Sequence, residues 1–229
     1  MLVKYWMKRD VVTIDVDASM QEAANLLKKH NTSILPVMRK DKLVGILTDR
    51  DLKRASASDA TLLDVHELNY LLTKVKVADI MSKNPITVPP DFTLEETASL
   101  LLHNKISGVP VMAADGKVIG IITQMDLFRA LISLTGLEKR GVQFAFQVED
   151  RPGSIKEVTD VIRSYVARLV SILTSYERAP AGFRNLYVRC YKLDRLKMGE
   201  LLKNLREKAP VLYMVDMRDN VREEFIESD

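Results

Sequence analysis

Two stretches of the chain, Gly45-Ile-Leu-Thr-Asp-Arg-Asp51 and Gly120-Ile-Ile-Thr-Gln-Met-Asp126, place a glycine, a threonine and an aspartate at the same spacing. Each stretch passes from an apolar run, typical of a buried strand, to a hydroxyl and a carboxylate that are typical of a helix start. The pattern therefore predicts a strand that leads directly into a helix, twice. Because a helix N-terminus offers unpaired N–H groups and the positive end of a dipole, each turn is suited to bind phosphate.

The threonine and the aspartate of each turn suit different parts of a nucleotide. Thr48 and its counterpart Thr123 can donate a hydroxyl proton to a phosphate oxygen. Ionised Asp51 and Asp126 accept hydrogen bonds only, which suits the two hydroxyls of a ribose. Arg50 adds positive charge to the first turn, which predicts that this turn prefers the more highly phosphorylated ligand.

A second interpretation of the same turns stays open. Thr-x-x-Asp is also a variant of the capping box, in which the two side chains do no more than satisfy backbone N–H groups at a helix start. In that case the chain is an interaction or scaffold protein that binds no ligand.

The two turns end a longer internal repeat, which begins at Met7 and Met81 with an offset of 74 residues. The copies match closely over Ser33-Ile-Leu-Pro-Val-Met38 and Ser107-Gly-Val-Pro-Val-Met112. One copy is too small to bury a core by itself, so the two copies are expected to pack on each other.

Each copy predicts the element order βαββα. In the first copy the initial strand is expected over Val11 to Val16, and Ser19 with Glu22 forms a capping box that opens the first helix. Thr93 with Glu96 does the same in the second copy. The next two strands of the first copy are expected at Leu35 to Met38 and Leu43 to Leu47. Between the copies, Leu68 to Val75 indicates a short helix.

The last third of the chain has a different pattern. Val142, Phe144, Phe146 and Val148 alternate with small or polar residues, which predicts a half-buried strand. Ser154 and Glu157 indicate a third capping box, and the further apolar runs complete the order βαββαβ, a ferredoxin-like pattern. The charged segment 218–229 is expected to fray.

With its Pro-Val strand and its Gly-h-h-Thr-x-x-Asp end, where h is apolar, the repeat resembles tandem CBS domains paired into a Bateman module. The resemblance covers residues 1 to about 135 and implies repeats at 1–60 and 77–136, joined by a linker with a short helix at 61–76. It implies a regulatory sensor that binds an adenine nucleotide (AMP, ADP or ATP), S-adenosylmethionine or a dinucleotide in clefts between the copies. The residues that it implies for the two clefts are Thr48, Arg50, Asp51, Ile86, Ile106, Ser107 and Gly108 on one side and Thr123, Asp126, Val12, Thr32, Ser33 and Ile34 on the other.

The segment 141–217 resembles an ACT domain, on the order βαββαβ and on the loop Asp150-Arg-Pro-Gly-Ser154. ACT domains pair through their sheets, and many bind an amino acid near this loop, so the resemblance implies a homodimer and an effector site at Asp150, Pro152, Gly153 and Ser154. Ala167-Arg168 departs from the small or Asn residue that leads into the second strand of many ligand-binding members, which keeps a purely dimerising role open. The order of modules is similar to that of acetoin-utilisation B type proteins. The whole chain is then expected to have a mixed α/β (α+β) fold.

Composition narrows the classes of function. The net charge of +3 is small and dispersed, which argues against nucleic acid as a partner. The sequence contains no run of 18 apolar residues, so no membrane-spanning helix is predicted. Cys190 is the only cysteine, which excludes an intrachain disulfide and suits the cytoplasm. Neither metal-ligand spacing, nor a Walker-type phosphate loop, nor a nucleophile with its base can be identified, so no cofactor, metal or catalytic residue is predicted. A stand-alone nucleotide-using enzyme is the least favoured alternative.

Overall fold

The computed structural model describes residues 1–59 and 73–225 of the chain. These residues fall into two compact units, Met1–Phe128 and Arg129–Asp229. Most of the linker helix predicted between Leu68 and Val75 falls on residues 60–72, outside the described part of the chain.

The two repeats make up the first unit, except that the last helix of the second repeat runs past Phe128, and most of the predicted helices and strands are present. The elements of the first repeat are β1 (Ile14–Asp15), α1 (Met20–Lys29), β2 (Ile34–Arg39), β3 (Lys42–Thr48) and α2 (Asp49–Asp59). Those that follow the linker are α3 (Val77–Ile80), β4 (Ser82–Lys83), α4 (Leu94–Asn104), β5 (Gly108–Met112), β6 (Val118–Thr123) and α5 (Gln124–Thr135). Strands β1 to β4 form one sheet in that order, and β5 pairs with β6.

Two predicted capping boxes are confirmed. The Ser19 backbone N–H donates to Glu22 at 2.8 Å, and the Glu22 N–H donates to the Ser19 hydroxyl at 3.2 Å. In the second repeat, the corresponding distances between Thr93 and Glu96 are 2.8 Å and 3.1 Å. The same reciprocal exchange therefore opens α1 and α4.

The predicted initial strand is longer than the observed one. Only Ile14 and Asp15 of the run Val11 to Val16 pair with β2, at the edge of the sheet. In the second repeat, Val88 makes a single bridge to Val111. Pro89 and Pro90 follow it, and because proline has no N–H to donate, the ladder cannot continue there.

The segments that precede the two repeats are exchanged between them. The first lead-in, residues 1–8, bonds to the second repeat: Val3 N donates to Phe92 O at 2.9 Å. The second lead-in, residues 75–83, bonds to the first repeat: Val77 N donates to Ala18 O at 2.9 Å. The structural repeat thus begins before Met7, and the expectation that the copies pack on each other is confirmed.

The shared glycines of the two turns allow this exchange. A side chain at Gly45 would place its Cβ 2.5 Å from Met81 Sδ and 3.0 Å from Ser82 O of the second lead-in. At Gly120 the Cβ would overlap the sulfur of Met7 and lie 3.0 Å from Lys8 O of the first lead-in. A side chain at either position would therefore push the methionine aside and crowd the backbone of the docked lead-in.

In its described residues, the second unit has a five-stranded sheet and two helices of its own, after the end of α5. Its elements are β7 (Val142–Glu149), α6 (Ser154–Ser164), β8 (Arg168–Ser175), β9 (Phe183–Tyr191), α7 (Met198–Arg206), β10 (Val211–Asp216) and β11 (Val221–Glu224). The strand order is β11-β10-β7-β9-β8, and each neighbouring pair is antiparallel. Phe144 and Phe146 pack with Ile162 and Leu201 in one buried core. The predicted order βαββαβ is confirmed, with one strand added after it.

Two expectations for the second unit are wrong. Ser154 does not cap α6, because Gly153 occupies the cap position with a φ of 90°, and Glu157 is bound instead by the Arg151 guanidinium. The charged tail does not fray over Val221–Glu224, which pairs with β10 as an edge strand. The exposed side chains of this strand carry no apolar pattern that would predict it.

Candidate functional site

A cavity of about 540 Å³ lies between the two repeats of the first unit. The first repeat contributes the end of β3 and the start of α2, and the second contributes the segment before β5 together with its lead-in. The lining residues are Ser33, Ile46, Thr48, Asp49, Arg50, Asp51, Ser82, Lys83, Asn84, Pro85, Ile86, Lys105, Ile106, Ser107, Gly108 and Gln124. We call this cavity the first cleft.

Thr48 and Asp51 form a reciprocal hydrogen-bonded pair at the start of α2. The Thr48 N–H and hydroxyl both donate to Asp51 Oδ2, at 2.9 Å and 2.7 Å. The Asp51 N–H donates to the Thr48 hydroxyl oxygen at 3.3 Å. Arg54 Nη2 donates to the other carboxylate oxygen, Oδ1, at 2.9 Å. These bonds satisfy the Asp51 carboxylate, which is needed because the residue is only 7% exposed.

The second repeat has the same two bonds from threonine to aspartate. The Thr123 N–H and hydroxyl donate to Asp126 Oδ2 at 2.9 Å and 2.6 Å, and Asp126 is 2% exposed. The capping interaction weighed above is therefore formed in both turns. It does not use up the carboxylates, because an ionised carboxylate offers about four acceptor positions.

A phosphate that binds to the Thr48 hydroxyl must replace the hydrogen bond from this hydroxyl to Asp51. A hydroxyl has one proton, and in Thr48 that proton is directed to Asp51. For Thr48 to donate to a phosphate, its hydroxyl must rotate away from the carboxylate, while the Thr48 N–H keeps its bond to Oδ2. An anion at this turn can therefore bind without releasing Asp51.

The charges around the first cleft favour an anion. Arg50, Lys83 and Lys105 line it, and none of the three forms an ion pair with another residue in the described ranges. The acidic lining residues, by contrast, are in ion pairs: Asp49 pairs with Lys53 at 3.2 Å and Asp51 pairs with Arg54. The cleft thus presents three cations and two compensated carboxylates.

The structure brings together eight of the residues that the sequence assigned to nucleotide binding. Ser33, Thr48, Arg50, Asp51, Ile86, Ile106, Ser107 and Gly108 all line the first cleft. The remaining five, which are Val12, Thr32, Ile34, Thr123 and Asp126, are not among its lining residues. Sequence reasoning missed Lys83, Asn84 and Lys105. Their place in the sequence could have indicated them, because they lie close to the residues of the second repeat that the sequence assigned to the site.

The loop that resembles an effector site lies beside a groove of the second unit. The groove measures about 650 Å³ and is more open than the first cleft, and Asp150, Pro152 and Gly153 line it. Arg184 reaches it from β9, where its Nη2 donates to the Ser154 hydroxyl at 3.3 Å and its Nη1 lies 3.6 Å from Asp150 Oδ1. The Nε of Arg184 is buried without a partner among the described residues.

Three other features bear on the class of protein. Burial raises the pKa of the Cys190 thiol to about 12, so this thiol stays protonated at neutral pH and is a poor nucleophile. The described ranges contain no group of three or more His, Cys, Asp and Glu side chains placed to hold a metal ion. Within the same ranges, every helix is too short or too polar to cross a bilayer.

Comparison with known proteins gives a consistent match for the first unit. A family model described as the CBS domain matches residues 3–58 and 77–133. A CBS domain-containing protein of Dictyostelium discoideum is 34% identical over 134 residues, which cover 58% of this chain and 92% of the relative. An inosine-5'-monophosphate dehydrogenase of Korarchaeum cryptofilum is 39% identical over 120 residues, but the match spans 52% of this chain and only 22% of the enzyme.

Solved structures give the same match. A CBS domain pair crystallised in complex with 5'-methylthioadenosine and S-adenosyl-L-methionine is 32% identical, with a TM-score of 0.50 over 57% of this chain and 95% of that one. A CBS-domain containing protein from Agrobacterium tumefaciens is 28% identical, with a TM-score of 0.51 over 58% of this chain and 100% of that one.

Proposed function

Because the chain belongs to the CBS domain family, we propose that it is a regulatory protein that binds an adenosine-containing ligand in the first cleft. The observation that carries the proposal is the cavity itself, which joins the Thr48 turn of one repeat to Ile106, Ser107 and Gly108 of the other. A ligand that spans this cavity contacts both repeats at once, so its binding free energy can alter how the repeats pack.

The parts of an adenine nucleotide match the walls of the cleft. Ile86 and Ile106 offer an apolar surface for a flat base, and the acceptor position left on Asp51 Oδ1 suits a ribose hydroxyl. Arg50 and Lys83 supply charge for one or more phosphates. A relative of similar fold was crystallised with two adenosine derivatives, which supports the choice of adenosine. The proposed ligands are AMP, ADP and ATP, with S-adenosylmethionine and a dinucleotide as alternatives.

Thermal unfolding in the presence of each ligand tests the proposal. A ligand at a hundredfold excess over its Kd stabilises the folded protein by about 2.7 kcal/mol, which raises the Tm by several degrees. Replacing Asp51 and Asp126 together by Ala removes both carboxylates, and we expect the ligand-induced shift to disappear. If the double variant is still stabilised as strongly as the wild type, the turns only cap helices and the scaffold interpretation holds.

A role without catalysis is proposed for the same cleft. Among the described residues, its lining includes no histidine or cysteine, and the two carboxylates found there are already hydrogen-bonded to cationic or backbone groups. Incubating the protein with ATP and following product formation tests this directly. Turnover that requires Asp51 would make the chain an enzyme.

The groove of the second unit supports a second function, in which an ACT-like domain binds an amino acid or mediates a homodimer. Arg184 and the helix start at Ser154 could bind a carboxylate there. We expect one amino acid of a panel to raise the Tm, and Arg184→Met to remove that shift. A protein that sediments as a dimer and responds to no amino acid would leave the dimerising role only.

A further inference from the structure

One face of the sheet in the second unit contains a buried arginine. Phe144, Phe146 and Val188 pack with the two helices in the core, so the residues that alternate with them along the strands lie on the opposite face. Two of these are Gln143 of β7 and Arg189 of β9, which pair in register with each other. Arg189 is only 6% exposed, although arginine is rarely buried without a charged partner.

The polar groups around Arg189 form a short chain of hydrogen bonds that runs in one direction. Arg189 Nη2 donates to Gln143 Oε1, and Gln143 Nε2 donates to the Tyr213 hydroxyl oxygen at 3.2 Å. Burial raises the pKa of Tyr213, and the neighbouring Tyr187 phenol raises it further, so the Tyr213 hydroxyl keeps its proton at neutral pH. The chain therefore begins and ends with a proton donor and contains no negative charge.

The charge of Arg189 is not balanced within the described residues. Its Nε and Nη1 are buried without a hydrogen-bond partner there, and no carboxylate forms an ion pair with it. Glu224 of the edge strand β11 lies opposite Tyr213 in register, but its side chain is exposed. A buried charge is strongly unfavourable unless it is paired and hydrogen-bonded, so the site is complete only with an anion.

The turn that follows α5 lies beside this site. A Cβ added to Gly136, whose φ is 64°, would lie 3.9 Å from Arg189 Cδ, so the turn packs near the stem of the arginine. The Ser171 hydroxyl donates to Thr135 O at 2.9 Å and helps to hold the turn in place. Because Arg189 Nε and Nη1 are covered, an anion that reaches them must be small and must displace part of this cover.

We infer that the second unit binds a small monocarboxylate at Arg189 and Tyr213, on the sheet face opposite its two helices. The guanidinium supplies the positive charge and the Tyr213 hydroxyl supplies a further donor for the carboxylate oxygens. A carboxylate brings one negative charge, which balances the single charge of Arg189, whereas a phosphate group brings more than one at neutral pH. Neither residue lines the groove beside Gly153, and the site does not depend on the nucleotide proposal.

Nuclear magnetic resonance of the arginine Nε–H groups tests the inference on the full chain. The signal that is missing from Arg189→Met is assigned to Arg189, and we expect it to shift saturably when acetate replaces chloride at constant ionic strength. Tyr213→Phe removes one donor and should weaken acetate binding about tenfold. Arg168→Met changes an exposed arginine of the same sheet and is the matched control, with an unchanged titration expected.

Gln143→Glu supplies the missing carboxylate from within the chain. The glutamate has the shape of the glutamine that accepts from Arg189 Nη2, so it can pair with the guanidinium in place. We expect this variant to unfold at a higher Tm than the wild type in chloride. Acetate should no longer shift its Arg189 signal.

The stability of Arg189→Met gives a second readout, because replacing an unpaired buried charge by an apolar side chain is not expected to destabilise the fold. This variant should keep the wild-type Tm in chloride, and acetate should raise the Tm of the wild type only. The inference is overturned by an Arg189 signal that acetate does not move, by a Tm of Arg189→Met that falls equally in chloride and acetate, or by tighter binding of phosphate than of acetate. An acetate response that is lost in Arg184→Met instead would assign the anion to the groove and would also overturn it.

Discussion

The two repeats of the first unit share the residues that position their backbones and differ at residues on the boundary between them. Gly45 and Gly120 both allow an exchanged lead-in to dock, and both turns bind their aspartate through a threonine. At the boundary, by contrast, Ile34 faces Gly108. The comparison teaches that a duplicated fold can keep its architecture symmetric while the residues on the boundary between its copies diverge.

The largest effect is expected where the repeats are alike. Gly45→Val and Gly120→Val each force a side chain into the docked lead-in, and overpacking of this kind costs about 1–3 kcal/mol or more in the free energy of unfolding. Urea denaturation measures both losses. Gly199→Ala is the control, because nothing lies within 4 Å of the Cβ added there. A loss of stability in only one of the two variants would show that the two lead-ins do not contribute equally to the fold.

A smaller effect is expected where the repeats differ in charge. Arg50→Met gives the first turn the residue that the second turn has at the matching position, Met125. Because one charged contact to phosphate is lost, ATP binding should weaken about tenfold, or by about 1.4 kcal/mol. Adenosine, which has no phosphate, should bind with nearly unchanged affinity. Titrations of AMP, ADP and ATP measure the preference. If the ratio of ATP to AMP affinity does not change, Arg50 does not contact the phosphates.

The helix caps predict an effect of about 1 kcal/mol that is equal in the two repeats. Ser19→Ala and Thr93→Ala each remove the hydroxyl that accepts the third N–H of α1 or α4, with the usual cost of a lost cap. Denaturant midpoints of the two variants should fall together. A cost confined to one repeat would show that the other helix start is supported by packing instead.

The smallest effect is a dependence on pH. Hydrogen bonds from the backbone of Ser19 and Thr93 hold the pKa of Glu22 and Glu96 below the ordinary value of 4.5. A lowered pKa in the folded state contributes stability that is complete above the ordinary value and is lost as pH falls through the lowered one. Glu22→Gln with Glu96→Gln should therefore flatten the loss of stability below pH 4.5. A slope as steep as that of the wild type would mean that other carboxylates govern it.

Local signals predicted the parts of this structure that are set by neighbouring residues. Ser19 with Glu22 and Thr93 with Glu96 are caps because each pair lies within one helical turn. The same signal was wrong at Ser154, since Gly153 adopts a positive φ and Arg151 binds Glu157. Neither feature follows from the residue spacing.

Features that depend on distant parts of the chain could not be predicted from one sequence. The glycines of the turns indicated a close approach, but not that Met81 and Met7 are the groups that approach. The alignment matched Ile34 with Gly108 without indicating that the two positions touch. Lys83 and Lys105 join the candidate site only once the repeats are packed together.

A crystal structure of the protein grown with ATP tests the central claim most directly. The account predicts a nucleotide in the first cleft, with a ribose hydroxyl within hydrogen-bond distance of Asp51, its base against Ile86 and Ile106 and its phosphates beside Arg50. A nucleotide bound only beside Thr123 and Asp126, or a first cleft filled by the protein's own side chains at saturating ATP, would contradict it.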